Sequence, residues 1–485
     1  MRPPGPQIAP VLPALLGVAA VAIASPWLLL VQSTLTATLL AVAVLQVVYH
    51  AVRSLVSGHE LLQLVFWVFS AGYLIVPAIY QLAYRQAAWQ DYYIYVDDRR
   101  VQDTLIVLNV GFAAFGLGAR RRSPRNGPAR DADRVRGVEE AVTLGRPREL
   151  LLCLGLAGAS LALLPVVLAK TGLAALFSSR SERSAQFAAS GVGIQQAGGA
   201  VAAFYGILPG ALALAASYLL LMRWRRGRRS APLALAVSLA LLTVYSNPLA
   251  NTRFVSSVAI VSLLLVVLEP RTRRGMTVVA LSVVLGLFAI YPVANAFRSE
   301  NAEPQPLSLS SIDFDGFQQL VNTQQYVEEK GHSGGTHLVS AVFFVVPRSF
   351  WEGKAAPASI EVAENRGYAF TNLSLPIFGE LYLDLGLAGA ALVLYGWGRL
   401  WRRLDDDWLQ GFAAGGARLV PYLAIAQVGL LRGPLGAQIP VSEPVALILA
   451  ASLLPLLGAT GVPAGQGRSP AAREGAGTSQ PAVEE

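Results

Sequence analysis

The chain of 485 residues is 54% hydrophobic and 14% charged, with a formal net charge of +8 and a single cysteine, Cys153. A soluble domain is about 45–50% apolar and about 25% charged. Here the apolar residues gather in runs of about 17–25, the length that spans a hydrocarbon core of about 30 Å, which excludes an ordinary soluble fold. One cysteine excludes an intramolecular disulfide and a thiolate metal cluster, and basic residues placed in short blocks between apolar runs argue against nucleic-acid binding.

The expected fold is all-α and polytopic, with about twelve spans. Arg2 leads directly into the first apolar block, residues 8–52, which divides near Pro26–Thr34 into two spans and shows no signal-peptide cleavage site. A third span covers about residues 60–82. A polar aromatic loop with Trp89, Tyr92, Tyr93 and Tyr95 follows, suited to a headgroup interface. The fourth span, 102–119, ends in a loop carrying nine arginines between 120 and 148, which reads as cytoplasmic. Spans over 149–169, 194–222, 231–247, 254–269 and 276–295 complete the first region, 1–295. Residues 296–373 form the one long outer loop, 374–461 hold three further spans, and 462–485 form a polar tail expected to be disordered. On this threading about 24 Lys/Arg lie on the cytoplasmic side and about 13 on the other, with both termini cytoplasmic.

A loop this long tends to carry function. It holds an amphipathic stretch around Phe317–Val327 and an apolar run, Leu338–Val346, too short to span, which stops at Pro347-Arg348-Ser349-Phe350-Trp351-Glu352-Gly353-Lys354. The run reads as an interfacial or re-entrant helix. Cations on the outer side run against the positive-inside rule: Arg180 and Arg183 after span five, Arg253 opening span eight, Arg298 closing span nine, then Arg348 and Lys354. Converging there, they would suit the phosphates of a lipid-linked pyrophosphate; singly, each can snorkel to lipid phosphates or meet an acid. Glu380 and Asp384, spaced i,i+4, share one helix face at the start of span ten, where they would orient an arginine or accept a proton. His332 and His337 flank Ser333-Gly334-Gly335-Thr336, so that a general base, a metal pair lacking a third ligand and a plain turn are all open. There is no P-loop and no dinucleotide fingerprint.

The layout resembles the bacterial oligosaccharide repeat-unit polymerases, or O-antigen polymerases of the Wzy type, and more distantly the O-antigen ligases. The likeness lies in many spans with one large outer loop, in Pro347-Arg348-Ser349-Phe350-Trp351 with Lys354, and in the arginine-bearing hairpin that ends at Arg253. It continues through Asn372-x-Ser374-x-Pro376 and Gly379-Glu380-x-Tyr382-x-Asp384-x-Gly386-x-x-Gly389. The resemblance implies a metal- and cofactor-independent glycosyltransferase of the cytoplasmic membrane, using a polyprenyl-pyrophosphate-linked oligosaccharide within membrane lipid. Arg253, Arg298 and Arg348 would then hold the pyrophosphate, with Glu380 or His337 as base and Asp384 and Tyr382 supporting. A chain-length regulator stays an open partner. The competing readings are a flippase or transporter of a lipid-linked glycan and another polyprenyl-phosphate-sugar glycosyltransferase, for which Asp97 and Asp98 form an early acidic pair.

Overall fold

The computed structural model describes residues 11–89, 98–120, 146–191, 204–227, 231–290, 307–409 and 416–439, apart from positions 32, 179, 249 and 372, together with positions 442, 445, 446, 448 and 449. Among the described residues the regular structure is all helical, as an apolar solvent requires, since a helix satisfies its own N–H and C=O groups. The first apolar block divides into α1 (Val11–Leu28) and α2 (Thr34–Ser57), the second capped by Ser33, whose hydroxyl accepts from the Thr36 N–H. Next come α3 (Leu61–Tyr84), α4 (Asp98–Gly118), α5 (Arg146–Thr171), α6 (Arg180–Ala189) and α7 (Leu208–Arg225). They are followed by α8 (Pro232–Tyr245), α9 (Arg253–Leu268) and α10 (Arg273–Ile290). The long loop contributes α11 (Gly316–Lys330), α12 (Thr336–Val342) and α13 (Ala358–Asn365) before α14 (Ile377–Leu409) and α15 (Val420–Arg432).

Seven of these are long and apolar enough to cross a membrane: α1, α2, α3, α4, the Glu149–Thr171 part of α5, α10 and α14. Their burial sorts them by position. Most of α3 is buried, whereas only 17% of the apolar window of α1 and 11% of that of α10 are covered by protein. Ile23, Leu281 and Leu392 project apolar side chains outward. Such contiguous apolar exposure belongs against lipid, and the chain is a helical membrane protein on that ground. The segments read as spans over 231–247 and 254–269 are the shorter apolar helices α8 and α9, that over 409–430 overlaps the shorter α15, and 441–459 lies mostly outside the described residues.

Around α3 the core is aromatic. Phe66 stacks on Phe115 with ring centroids 3.6 Å apart, and Phe112 meets Phe378 edge-on at 5.1 Å. Glycine lets α4 and α14 close on each other: a Cβ at Gly118 would lie 2.1 Å from the Tyr395 carbonyl oxygen, and one at Gly398 2.2 Å from that of Phe115.

The two ends of the bundle differ. At the end away from the long loop, charges are buried and paired. Glu149 meets Arg223 at 3.1 Å, Arg226 at 3.4 Å and Arg418 at 3.5 Å. Arg402 pairs with Glu60 and Asp406, and Arg271 lies 4.2 Å over the Trp408 ring. Asp405 accepts the Leu62 and Gln63 N–H groups at the start of α3, where the helix end supplies free donors. Arg418, which the hydropathy pattern puts within a span, sits in the 3-10 turn Gly416–Leu419 at this end instead.

Candidate functional site

At the other end the loop is clamped onto α3. Gln81 Nε2 donates to the Leu309 and Phe314 carbonyls, Trp89 Nε1 donates to Asp315, and Tyr73 Oη donates to Ser374. The stretch expected to be amphipathic, Phe317–Val327, is enclosed on all sides over Gly316–Gln324, because amides rather than charges fill its polar positions. Asn322 Nδ2 donates to Gln319 and to Tyr368 Oη, which explains how so polar a helix is buried.

On this base the turn 333–335 delivers two side chains to α14. Gly334 and Gly335 take φ values of 68° and 90°, open to glycine at little cost, and the Ser333 N–H donates to the Leu383 carbonyl. Ser333 and His337 thereby converge on Asp384. His337 Nδ1 lies 2.7 Å from Asp384 Oδ1, the Ser333 hydroxyl donates to the same oxygen, and the Leu338 N–H donates to Oδ2 at 2.7 Å. With a carboxylate as acceptor, Nδ1 is the protonated nitrogen and Nε2 is the one that can exchange a proton. Nε2 lies 3.2 Å from Glu361 Oε2 on α13, yet without the alignment of a hydrogen bond. That oxygen accepts from Tyr326 Oη at 2.9 Å. Burial pulls the His337 imidazole down. The hydrogen bond to Asp384 and the charges of Asp384 and Glu361 outweigh it and hold the group above its ordinary 6.5.

Glu380, one turn before Asp384, is fully buried and within reach of the charges on His337 and Asp384. Its Oε2 accepts the Leu435 N–H at 2.6 Å, tying down the chain after α15, while Oε1 has no hydrogen-bond partner among the described residues. Both carboxylates precede a break. Gly386, at φ 67° and ψ −177°, interrupts α14, a conformation open essentially only to glycine. Its 33 residues would make a rod of about 50 Å, longer than a hydrocarbon core of about 30 Å. The piece 377–385 is therefore a separate short helix beneath the loop, and the acids stand at the head of the long helix rather than inside it.

The other candidates separate. Tyr382 faces His332, ring centroids 5.2 Å apart and edge-on. Arg348 donates to the Lys354 carbonyl at 2.6 Å, and Lys354 Nζ donates to the carbonyls of Phe343, Phe344 and Val346, so this cationic pair fastens the segment 343–355 to itself. Partial burial and the neighbouring Arg348 charge pull Lys354 below its usual value. The apolar run forms a helix only over Thr336–Val342, and Phe350 beyond it is exposed. Arg183 is buried against the 247–253 hairpin, with Nη1 2.5 Å from Asn251 Oδ1 and the guanidinium over Phe187. Arg253 opens α9, half-buried. The Arg180 side chain and the whole of Arg298 lie outside the described residues. Of the residues singled out in sequence, the fold thus brings together His337, Asp384 and Glu380, while Arg183 and the Arg348–Lys354 pair are engaged elsewhere.

Ser333 and Glu361 complete the cluster, and Glu361 carries no sequence signal: it lies 24 positions from His337 in a polar stretch with no motif around it. Among the described residues no group of three or more His, Cys, Asp and Glu side chains is arranged to hold a metal ion. The fold and site define an all-helical membrane protein with a buried histidine–carboxylate cluster where its long loop meets the bundle. Comparison with protein-family profiles, curated proteins and solved structures finds no match to this chain.

Proposed function

We propose that the chain is a membrane glycosyltransferase that polymerises polyprenyl-pyrophosphate-linked oligosaccharide units into a surface polysaccharide such as O-antigen, capsule or exopolysaccharide. The reaction takes place at the outer face of the cytoplasmic membrane, in the metal-independent manner that the sequence resemblance implies. On this reading the chain crosses the bilayer about twelve times, its termini are cytoplasmic and the loop 296–373 is outside. The single observation that carries the proposal is the His337–Asp384 pair, a proton acceptor oriented by a buried carboxylate at the loop end of the bundle.

His337 Nε2 takes the proton of an acceptor hydroxyl as its oxygen attacks the reducing-end anomeric carbon of the donor. The new glycosidic C–O bond forms, the bond from that carbon to the pyrophosphate oxygen breaks, and the lipid pyrophosphate leaves with the electron pair. Asp384 holds Nδ1–H and balances the imidazolium. Arg253, Arg298, Arg348 and Lys354 supply cations for the pyrophosphate, Arg348 and Lys354 after giving up their loop contacts. Charge distribution favours surface chemistry over transport: residues 61–84, 150–169 and 254–268 carry no charged side chain, so these helices offer no ionic path.

The test is the glycan profile of cells carrying His337→Ala or Asp384→Asn. Both variants are expected to insert normally and to lower polymer formation by about 10²–10⁴-fold, the usual worth of a positioned base. Long-chain glycan at normal length and amount in His337→Ala overturns the proposal. A transporter would instead leave lipid-linked units on the inner leaflet.

A further inference from the structure

His337 has one nitrogen to spare, and the chain covers it with its own carboxylate. Asp384 occupies Nδ1, so only Nε2 is left to exchange a proton. That nitrogen is buried, has no hydrogen-bond partner among the described residues, and meets Glu361 Oε2 at 3.2 Å. The same oxygen takes a hydrogen bond from Tyr326 Oη at 2.9 Å. A position between a phenol donor and an imidazole nitrogen is the setting for a hydroxyl or anionic oxygen, and at 3.2 Å no second oxygen fits between the two groups. Glu361 is also able to leave. Its side chain keeps 32% of its surface exposed against 2% for His337, and it stands on the short helix Ala358–Asn365.

The ionisable groups around the imidazole all bear on its resting state. Asp384 and Glu380 lie beside it on Ile377–Leu409 and Glu361 on Ala358–Asn365, with the Ser333 hydroxyl 3.2 Å from Nδ1 and Tyr326 acting through Glu361. An imidazole set between two carboxylates is held charged, and a charged imidazole accepts no proton.

We propose that the Glu361 carboxylate is a displaceable stand-in for the substrate oxygen at His337 Nε2, so that its side chain covers the site at rest and swings aside for the incoming hydroxyl. The inference rests on the reading of His337 as the proton acceptor. It makes Glu361 and Tyr326 positioning residues of the resting state, with the acceptor hydroxyl taking over the hydrogen bond from Tyr326 once Glu361 swings to water.

The test needs no turnover. Diethyl pyrocarbonate acylates a neutral, unshielded imidazole nitrogen, and mass spectrometry separates the four histidines of the full-length protein. In the wild type His337 is expected to react much more slowly than the exposed His332. Glu361→Ala is expected to raise the His337 rate clearly at neutral pH, since both the cover and the neighbouring negative charge are removed, with His332 unchanged. Glu361→Gln keeps the shape and removes the charge, so a smaller rise is expected. Tyr326→Phe, which frees the carboxylate without deleting it, is expected to raise the rate as well. A wild-type His337 as reactive as His332, or rates unchanged in both Glu361→Ala and Tyr326→Phe, overturns the proposal. If polymer persisted in His337→Ala, the catalytic reading would fall while these labelling rates still reported the Glu361 contact.

Discussion

Asp384 receives the His337 ring, the Ser333 hydroxyl and the Leu338 amide while itself buried, so the pair is anchored from the bundle side and titrates from the loop side. The sign of its pH dependence follows from the upward shift of His337. A group held above its unfolded value of about 6.5 stabilises the fold fully below that value, and the contribution is lost as pH rises through the folded-state value. Thermal unfolding of the detergent-solubilised protein should therefore show the wild type losing stability relative to His337→Gln as pH rises from about 6.5 through the folded-state value; parallel curves would mean that the ion contact is absent. Polymer formation, needing the neutral ring, should rise over the same interval. In sequence, Glu380 and Asp384 were legible through their i,i+4 spacing inside an apolar run, and His337 through its place in a glycine turn. Glu361 was not, since its partner is reached across the fold. The ties of Arg348 and Lys354 to loop carbonyls were equally hidden, because charge patterning counts cations without showing which backbone groups they meet.

At the level of elements, the break at Gly386 sets the height of both acids relative to the long helix. A side chain there would meet ordinary packing, with a Cβ 3.5 Å from the nearest His332 atom, so the cost comes from the backbone angle alone. Gly386→Ala is expected to cost about 1–3 kcal/mol and to misplace Glu380 and Asp384, seen as a lowered unfolding temperature together with reduced polymer. An unchanged unfolding temperature would mean that the helix tolerates a straight path. The glycine was visible in sequence, but nothing in a continuous apolar run announces that the backbone leaves the helix at that point. By contrast, the division of residues 8–52 was legible, because the block is too long for one span and its break falls near Pro26–Thr34. The enclosed α11 was not, since amides lining a protein interior and amides facing water have the same hydropathy.

Over the whole molecule, the loop end and the opposite end carry different chemistry. The arginine-rich end buries charge pairs around Glu149 and Glu60, with Arg402 also reaching the half-exposed Asp406, and the loop end presents the histidine site. If arginine asymmetry sets the orientation, a cysteine introduced by Glu352→Cys in a Cys153→Ser background is labelled from outside by an impermeant maleimide. One introduced by Arg274→Cys is then protected until the membrane is opened, and the reverse pattern would invert the sidedness. The helical membrane class was legible from composition alone, whereas the number of crossings is a matter of helix length, which apolar runs joined by glycine and proline blur. Polymerisation itself is read by reconstitution: purified protein in lipid vesicles supplied with polyprenyl-pyrophosphate-linked oligosaccharide units. The wild type should join units into longer chains and release polyprenyl pyrophosphate while His337→Ala leaves the units single; units left unjoined by the wild type, or chains of equal length from His337→Ala, would contradict the proposal.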